Sequence, residues 1–290
     1  MVKQFLVMGV LAACMAFSPI LAADPIEAPV KKITEMLYPT VMVDMGRGVG
    51  SGTVIFSNKR PHESWKDEGV WTLVITNHHV IARAISISEE FNPIKGKSIK
   101  METRRPVHVR LWDYNDYSTA VGTTGRVARI VAWDKHRDLA LLRLDDKERV
   151  IKNVAHLWPE KVGGPYLFQT VWAIGSGMSN PPYPTQGLLS GISGKDSAGR
   201  SLYLSSSPII FGNSGGSLWA HSKKRYRYEL IGIPSAAGAY GWGTIVSHIA
   251  WSRPISEIRA FLRANDFGFI LGDKDKPKPK EKEPKDEEED

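Results

Sequence analysis

Short runs of apolar and β-branched residues, separated by Gly, Pro, Asn and Asp, fill the central part of this 290-residue chain. Such runs between turn-forming residues are typical of β-strands. Examples lie at 53–56, 70–76, 107–112, 126–133, 139–144, 170–174, 187–192, 202–204, 228–233 and 244–249. Many short strands with frequent turns favour a β-barrel or a β-sandwich.

Helical periodicity is convincing in only two places. The first is the segment 24–37, which precedes the first strand. The second is 254–267, where apolar residues recur on one face and Pro254 suits the first turn of a helix. Segment 151–166 has mixed polarity and lies between two halves of similar size, so we interpret it as their connection.

The first 23 residues have the pattern of an export signal, in which Lys3 is followed by an apolar run over 5–17 and by small residues at 22–23. This 13-residue run is too short for a stable membrane span. We therefore predict cleavage after residue 22 or 23 and a periplasmic or secreted mature protein. An uncleaved anchor and lipid attachment at Cys14, in a lipoprotein-like sequence, are the alternatives.

Charge is divided unevenly between the body and the C-terminal end. Residues 273–290 contain only Lys, Asp, Glu and Pro, and without apolar side chains they cannot form a core, so 268–290 is predicted to be a disordered charged tail. The tail has six lysines and nine acidic residues, so the net charge of +7 implies a body of +9 once Lys3 is set aside. Basic residues are scattered along that body, and we therefore expect a basic surface without a nucleic-acid site.

Composition excludes several other classes. Apolar and charged fractions of 42% and 24% exclude collagen-like, coiled-coil and wholly disordered chains. Cys14 is the only cysteine and lies in the predicted signal, so neither a disulfide nor a cysteine zinc site is expected. We expect no metal and no cofactor.

The string Gly212-Asn213-Ser214-Gly215-Gly216 is the most informative motif. Glycines beside a serine allow the backbone to approach a substrate carbonyl and to present N–H groups to it, although a tight turn with an incidental serine has the same sequence. A serine nucleophile needs a base, and the base needs an orienting acid.

Candidates for both partners occur elsewhere in the chain. His78 and His79 follow an apolar strand, and Asp138 precedes another. Taken alone, each of these residues is more often a structural histidine or a turn aspartate than a catalytic residue. Together, in the order His, Asp, Ser, they indicate nucleophilic serine catalysis.

At this point the chain resembles the trypsin-like (chymotrypsin-fold) serine peptidases, in the HtrA-type and glutamyl-endopeptidase branch and without a PDZ domain. Matching motifs occur in family order within 38–265, at 50–55, 76–81, 138–142, 173–175, 187–191, 212–216 and 230–233. The resemblance implies an all-β fold of two six-stranded antiparallel β-barrels, at 38–150 and 167–253, followed by a C-terminal helix.

The resemblance also implies the role of each site residue. His79 would be the general base, Asp138 its orienting acid and Ser214 the nucleophile, with an oxyanion hole formed by the N–H groups of Gly212 and Ser214. His78 would be a variable neighbour. The implied function is an exported endopeptidase that hydrolyses proteins or peptides through an acyl-enzyme intermediate, and a catalytically inactive scaffold of the same fold is the alternative.

The same comparison places the specificity pocket. Its floor and walls would be formed by residues that are mostly small or apolar, namely Pro208, Pro234, Ser235, Ala236 and His248. With no acidic residue among them, we predict a preference for a small or medium apolar residue before the cut bond, provided that the His248 ring stays outside the pocket.

Departures from the family pattern change other expectations. Asn213 replaces the aspartate that pairs with a new N-terminus in digestive relatives, so activation by N-terminal insertion is not expected. Two segments, 57–68 and 86–106, are longer than the family core needs, and the second is either a solvated surface loop or a flap over the substrate. A homo-oligomer would be expected to use the segment before residue 38.

Overall fold

The computed structural model describes residues 27–273 except for 47, 60–68, 94–95, 147 and 242. The predicted export signal with Cys14, most of the segment 57–68 and the part of the predicted tail after residue 273 lie outside the described residues. The described strands are β1 (Thr40–Asp44), β2 (Val49–Lys59), β3 (Val70–Thr76), β4 (Ile85–Asn92), β5 (Lys97–Arg104), β6 (Val107–Tyr114), β7 (Ala120–Asp134), β8 (Leu139–Leu144), β9 (Thr170–Gly175), β10 (Tyr183–Lys195), β11 (Ser201–Ser205), β12 (Ser217–Ser222), β13 (Arg227–Tyr240) and β14 (Thr244–Pro254). The α-helices are α1 (Glu27–Lys32), α2 (His78–Ile81) and α3 (Ile255–Ala264).

Twelve of these strands close into two six-stranded antiparallel barrels. The strand order is β1-β2-β3-β8-β7-β6 in the first barrel and β10-β11-β14-β13-β12-β9 in the second. The predicted fold class is therefore confirmed. Closure removes the open sheet edges that would otherwise pair with another chain.

The two barrels share a hydrophobic cluster to which alternate faces of the strands contribute. In β3, Leu73 and Ile75 join the cluster that also contains the second barrel's core, whereas Val74 lies inside the first barrel. Because side chains alternate along a strand, a strand between two apolar environments is buried on both faces. This explains why all seven residues of β3 are buried.

The connection between the barrels is packed against both of them. Its Ala155 N–H donates to the Val54 carbonyl oxygen at 2.8 Å, and its Trp158 N–H donates to the Leu230 carbonyl oxygen at 3.0 Å. These bonds join β2 of the first barrel to β13 of the second. The contact therefore helps to fix the cleft between the barrels.

Helix α3 buries the apolar face that its periodicity predicts. Ile255, Ile258, Phe261 and Leu262 are buried in the shared cluster. A further 3₁₀ turn, Gly268–Leu271, follows, and its apolar side chains pack on the same cluster. The ordered fold thus extends beyond the boundary at 268 that composition suggested, because these apolar residues bury surface.

The segment 86–106 is mainly a β-hairpin, not an irregular loop. Strands β4 and β5 pair only with each other in the described structure. The hairpin is attached to β7, since Trp133 Nε1 donates to Glu102 Oε1 at 2.8 Å and Arg104 Nη1 donates to the Ile130 carbonyl oxygen at 2.9 Å. Because almost all of its side chains are exposed, burial gave no periodic signal in the sequence.

The segment before β1 lies on the second barrel. Helix α1 continues into a π-helical turn, Ile33–Leu37, and Glu35 Oε2 accepts a hydrogen bond of 2.7 Å from the Tyr228 N–H. Lys32 lies 5.2 Å from the centre of the Trp172 ring. Within the described ranges, no helix combines the length and apolarity that crossing a membrane requires.

Candidate active site

Strand pairing brings the three predicted residues to one cleft. Antiparallel β3 and β8 are neighbours, so His79, just after β3, lies close to Asp138, just before β8. Ser214 lies in the turn between β11 and β12 of the other barrel. Its carbonyl oxygen accepts a hydrogen bond of 2.7 Å from the Ser51 N–H of β2, which joins the two barrels at the site.

His79 and Asp138 are in direct contact. His79 Nδ1 lies 3.0 Å from both Asp138 carboxylate oxygens, and the His79 backbone N–H also donates to Oδ1 at 3.0 Å. The Asp138 side chain is 10% exposed and that of His79 is 47% exposed. The acid is therefore enclosed, while the imidazole faces the cleft, which is the arrangement that an orienting acid and a base need.

Two further residues hold Asp138 in place. Ser235 Oγ donates to Asp138 Oδ2 at 2.6 Å, and Asn77 Nδ2 donates to the Asp138 backbone carbonyl at 2.8 Å. Asp138 has a φ of 53°, a left-handed conformation that these contacts help to maintain. Sequence reasoning assigned Ser235 only to the specificity pocket, and no local pattern indicated that its hydroxyl reaches this carboxylate.

The environment of Asp138 favours its ionised form. Burial raises the pKa of the carboxyl group. The hydrogen bond and charge of His79 and the hydrogen bond of Ser235 lower the pKa by more than burial raises it, so it lies below its ordinary value. The ionised carboxylate accepts a hydrogen bond from the Nδ1–H of His79. This tautomer leaves Nε2 free to accept a proton.

Replacing Asp138 by asparagine is expected to reduce the free energy of unfolding at pH 7 but not in strong acid. A pKa below the ordinary 3.8 means that ionised Asp138 stabilises the fold above about pH 3.8, and that this contribution is lost as the pH falls through the lowered folded-state value. Urea unfolding of both proteins at about pH 7 and at a series of decreasing pH values below 3.8 measures the difference. A difference that does not shrink in acid would contradict the assignment, and Asp116→Asn, at an exposed site, is the control.

Ser214 and His79 belong to different barrels and are not hydrogen-bonded to each other in the described structure. Ser214 Oγ instead donates to the Ser235 carbonyl oxygen at 3.4 Å, a long contact. In unliganded sites such catalytic contacts are often long and shorten only when substrate binds. A rotation of the serine side chain is the change that attack would need.

The turn that carries Ser214 offers two N–H groups. The N–H groups of Asn213, Gly215 and Gly216 donate to the carbonyl oxygens of Ile210, Pro234 and Asn213, each at 3.0 Å. Those of Gly212 and Ser214 donate to none of the described residues. These are the two donors that sequence analysis assigned to the oxyanion hole.

Glycine is required at position 212, which carries one of these two N–H groups. Gly212 has a φ of +97°, and a Cβ there would lie 2.4 Å from the Ser176 carbonyl oxygen. Gly215 is equally constrained, with a φ of +84° and a Cβ position 2.2 Å from the Ser51 carbonyl oxygen. The glycines of the motif therefore serve close packing against both barrels.

The residues of the predicted pocket differ in burial. Pro234 is buried and accepts the Gly215 N–H, whereas Pro208, Ala236 and His248 are exposed. The segment before the nucleophile is tied to β14, since the Ile209 N–H donates to the Ser247 carbonyl oxygen at 2.9 Å.

Ile249, which sequence analysis did not select, directly follows the predicted pocket residue His248 in β14. It is 37% exposed, and a Cβ on Gly238 would lie only 2.9 Å from its own Cβ. Its place next to Gly238 arises from an irregularity in the β13–β14 pairing, which residue spacing does not reveal.

His78 and Asp134, which lie close in sequence to His79 and Asp138, have structural contacts of their own. The His78 ring is buried 5.2 Å from the Trp133 ring, and burial lowers its pKa. Asp134 Oδ1 accepts the Arg137 N–H at 2.8 Å within a turn. In the residues that the structure covers, no three His, Cys, Asp or Glu side chains are grouped as a metal site.

Comparisons with known proteins agree with the observed fold. A sequence profile of the trypsin-like peptidase domain matches residues 50–233. A crystal structure of Deg5 superposes with a TM-score of 0.52 at 21% identity, covering 81% of this chain and 91% of that one. The HtrA-type protease AlgW, solved with a tripeptide, gives a TM-score of 0.54 at 17% identity. The alignment covers 83% of this chain and 64% of AlgW. A search of curated proteins finds no match.

Proposed function

The chain belongs to the trypsin-like peptidase family, and we propose that it is an exported serine endopeptidase that cleaves proteins or peptides. The observation that supports the serine-type mechanism best is the contact of 3.0 Å between His79 Nδ1 and enclosed Asp138, across the cleft from Ser214 with its two free N–H donors. Export and self-association remain predictions from the sequence.

In the proposed first half-reaction, His79 Nε2 takes the proton of the Ser214 hydroxyl as Oγ attacks the substrate carbonyl carbon. The resulting oxyanion accepts hydrogen bonds from the N–H groups of Gly212 and Ser214, each of which would contribute about 3 to 4 kcal/mol of transition-state stabilisation. Collapse of this intermediate breaks the C–N bond. His79 donates its proton to the leaving amine, and an ester on Ser214 remains.

Water completes the cycle in the second half-reaction. His79 Nε2 takes a proton from the water as its oxygen attacks the ester carbonyl carbon. Collapse releases the new carboxyl group and returns the proton to Ser214 Oγ. Asp138 stays ionised throughout and stabilises the positive charge that His79 acquires twice.

A fluorophosphonate probe tests the proposal directly, because it reacts covalently with an activated serine. The full chain is expected to be labelled at Ser214 and to hydrolyse casein, with activity retained in chelators. Folded protein that shows neither labelling nor hydrolysis would favour an inactive scaffold. The observation that favours an inactive scaffold is that Ser214 Oγ and His79 are not hydrogen-bonded in the described structure.

We also propose that the pocket accepts small or medium aliphatic side chains. Ile249→Ala should enlarge it and raise the ratio of kcat/KM for phenylalanine over valine before the cut bond by at least about tenfold, since a few methylene groups in a pocket change selectivity by this much. Peptides that differ only at that residue provide the measurement. Ile192→Ala, an exposed isoleucine on β10, is the control. Dominant cleavage after Lys, Arg or Glu would overturn the assignment.

A further inference from the structure

Ser51 is a fully buried residue of β2 whose hydroxyl connects two loops of the other barrel. Its Oγ donates to the Gly212 carbonyl oxygen at 2.6 Å and accepts the Ser176 N–H at 2.7 Å. Its backbone joins the same region, because its carbonyl oxygen accepts Thr76 Oγ1 at 2.7 Å and its N–H donates to the Ser214 carbonyl oxygen. All the polar groups of Ser51 are therefore engaged next to the nucleophile.

Hydrogen bonds of the turn that carries Ser214 fix the orientation of its peptide groups, which the Ser51 hydroxyl contacts. In a trans peptide the carbonyl and the N–H point in opposite directions, so fixing the carbonyl fixes the N–H. The carbonyl of Phe211 accepts the Met178 N–H at 2.7 Å, which directs the Gly212 N–H to the other side. The carbonyl of Asn213 accepts the Gly216 N–H at 3.0 Å and directs the Ser214 N–H in the same way.

Ser51 fixes the peptide between these two. The Gly212 carbonyl accepts the Ser51 hydroxyl, and the N–H of that peptide, on Asn213, donates to the Ile210 carbonyl oxygen at 3.0 Å. Glycine at 212 has few steric limits on rotation of the adjoining peptides. The Ser51 bond removes part of that freedom at the residue that joins the two oxyanion donors.

We propose that Ser51 is a positioning residue that holds the oxyanion turn in its donating arrangement, an inference that rests on the proposed peptidase function. Without the hydroxyl, the Gly212 carbonyl loses its partner and can regain one by rotation of the peptide. Such rotation would misdirect the neighbouring N–H donors. The effect would fall on the transition state, where the oxyanion forms, and not on substrate binding.

Ser51→Ala is the decisive variant, and Ser176→Ala is its matched control. The Ser176 hydroxyl is also buried, beside the same turn, but has no partner among the described residues. We expect Ser51→Ala to lower kcat about 10- to 100-fold with KM nearly unchanged, a fraction of the loss caused by removing an oxyanion donor outright. Affinity for a peptide boronate, which forms a tetrahedral adduct, should fall in parallel, whereas Ser176→Ala should stay within about twofold of wild type.

Ser51→Cys separates hydrogen bonding from packing, because a thiol is a weaker donor of similar shape. A kcat of Ser51→Cys between those of the wild type and Ser51→Ala would support the proposal. Equal losses of kcat in the Cys and Ala variants would overturn it. An unchanged kcat in a folded Ser51→Ala protein would also overturn it. If Ser51→Ala does not fold, the Cys variant and boronate affinity decide. Inactive wild-type protein would instead refute the peptidase function, so the two failures are distinguishable.

Discussion

Replacing Ser214 by alanine is expected to abolish fluorophosphonate labelling and to lower kcat on a peptide substrate by at least about 10⁴-fold. The reason is that Ser214 lies in the turn whose Gly212 and Ser214 N–H groups donate to none of the described residues, next to the His79–Asp138 pair. Residual turnover above the uncatalysed rate is expected, since the oxyanion donors remain. Stopped assays with a fluorogenic peptide and gel detection of the probe give both measurements.

The Ser214→Ala protein should remain folded, because the lost hydroxyl makes only a long contact, of 3.4 Å, with the Ser235 carbonyl. Its urea midpoint is expected to match that of the wild type, and it should still bind a product peptide. Ser206→Ala, another serine of the second barrel, is the control for labelling. Labelling that persists in Ser214→Ala would show that a different serine is the nucleophile.

The barrel architecture was predictable because two independent signals agreed. Apolar runs between turn residues predicted many strands, and the motif order implied how those strands are arranged. The hairpin of β4 and β5 was missed as regular structure since its side chains face solvent on both sides, so no alternation of burial is imprinted on its sequence.

The site was predictable in part. His79, Asp138 and Ser214 are residue types that the proposed chemistry demands, and such residue types can be searched for in a sequence. The supporting contacts proposed for Ser51 and Ser235 include hydrogen bonds to Gly212 and Asp138, which are distant from them in the chain. Those hydrogen bonds depend on how the two barrels pack and on the path of β13. Residue spacing along the chain indicates neither of these.

The supporting residues also connect the two barrels at the candidate site. Asp138 is held by Ser235 of the second barrel, and the turn of Ser214 is held by Ser51 of the first. A residue of each barrel therefore contacts a candidate site residue, or its turn, in the other barrel. A relative shift of the barrels would disturb both contacts together, which ties the arrangement of the site to the shared hydrophobic cluster.

His79→Ala is expected to be far more damaging than His78→Ala, although the two residues are adjacent. His79 contacts Asp138 and faces the cleft, so its loss should lower kcat by at least about 10⁴-fold. His78 packs on Trp133, so its loss should cost roughly 1 kcal/mol of stability and change kcat only a few-fold. Steady-state kinetics and urea unfolding of both variants measure these effects.

A double variant makes the test of His79 sharper. If His79 acts only by activating Ser214, then a chain lacking both should be about as slow as the chain lacking Ser214 alone, because residues that act as one unit are not additive. Additive losses would mean that His79 contributes through some other route, such as substrate binding. A larger loss from His78 than from His79 would place the base one residue earlier and would contradict the contact with Asp138 as the functional one, since that contact belongs to His79.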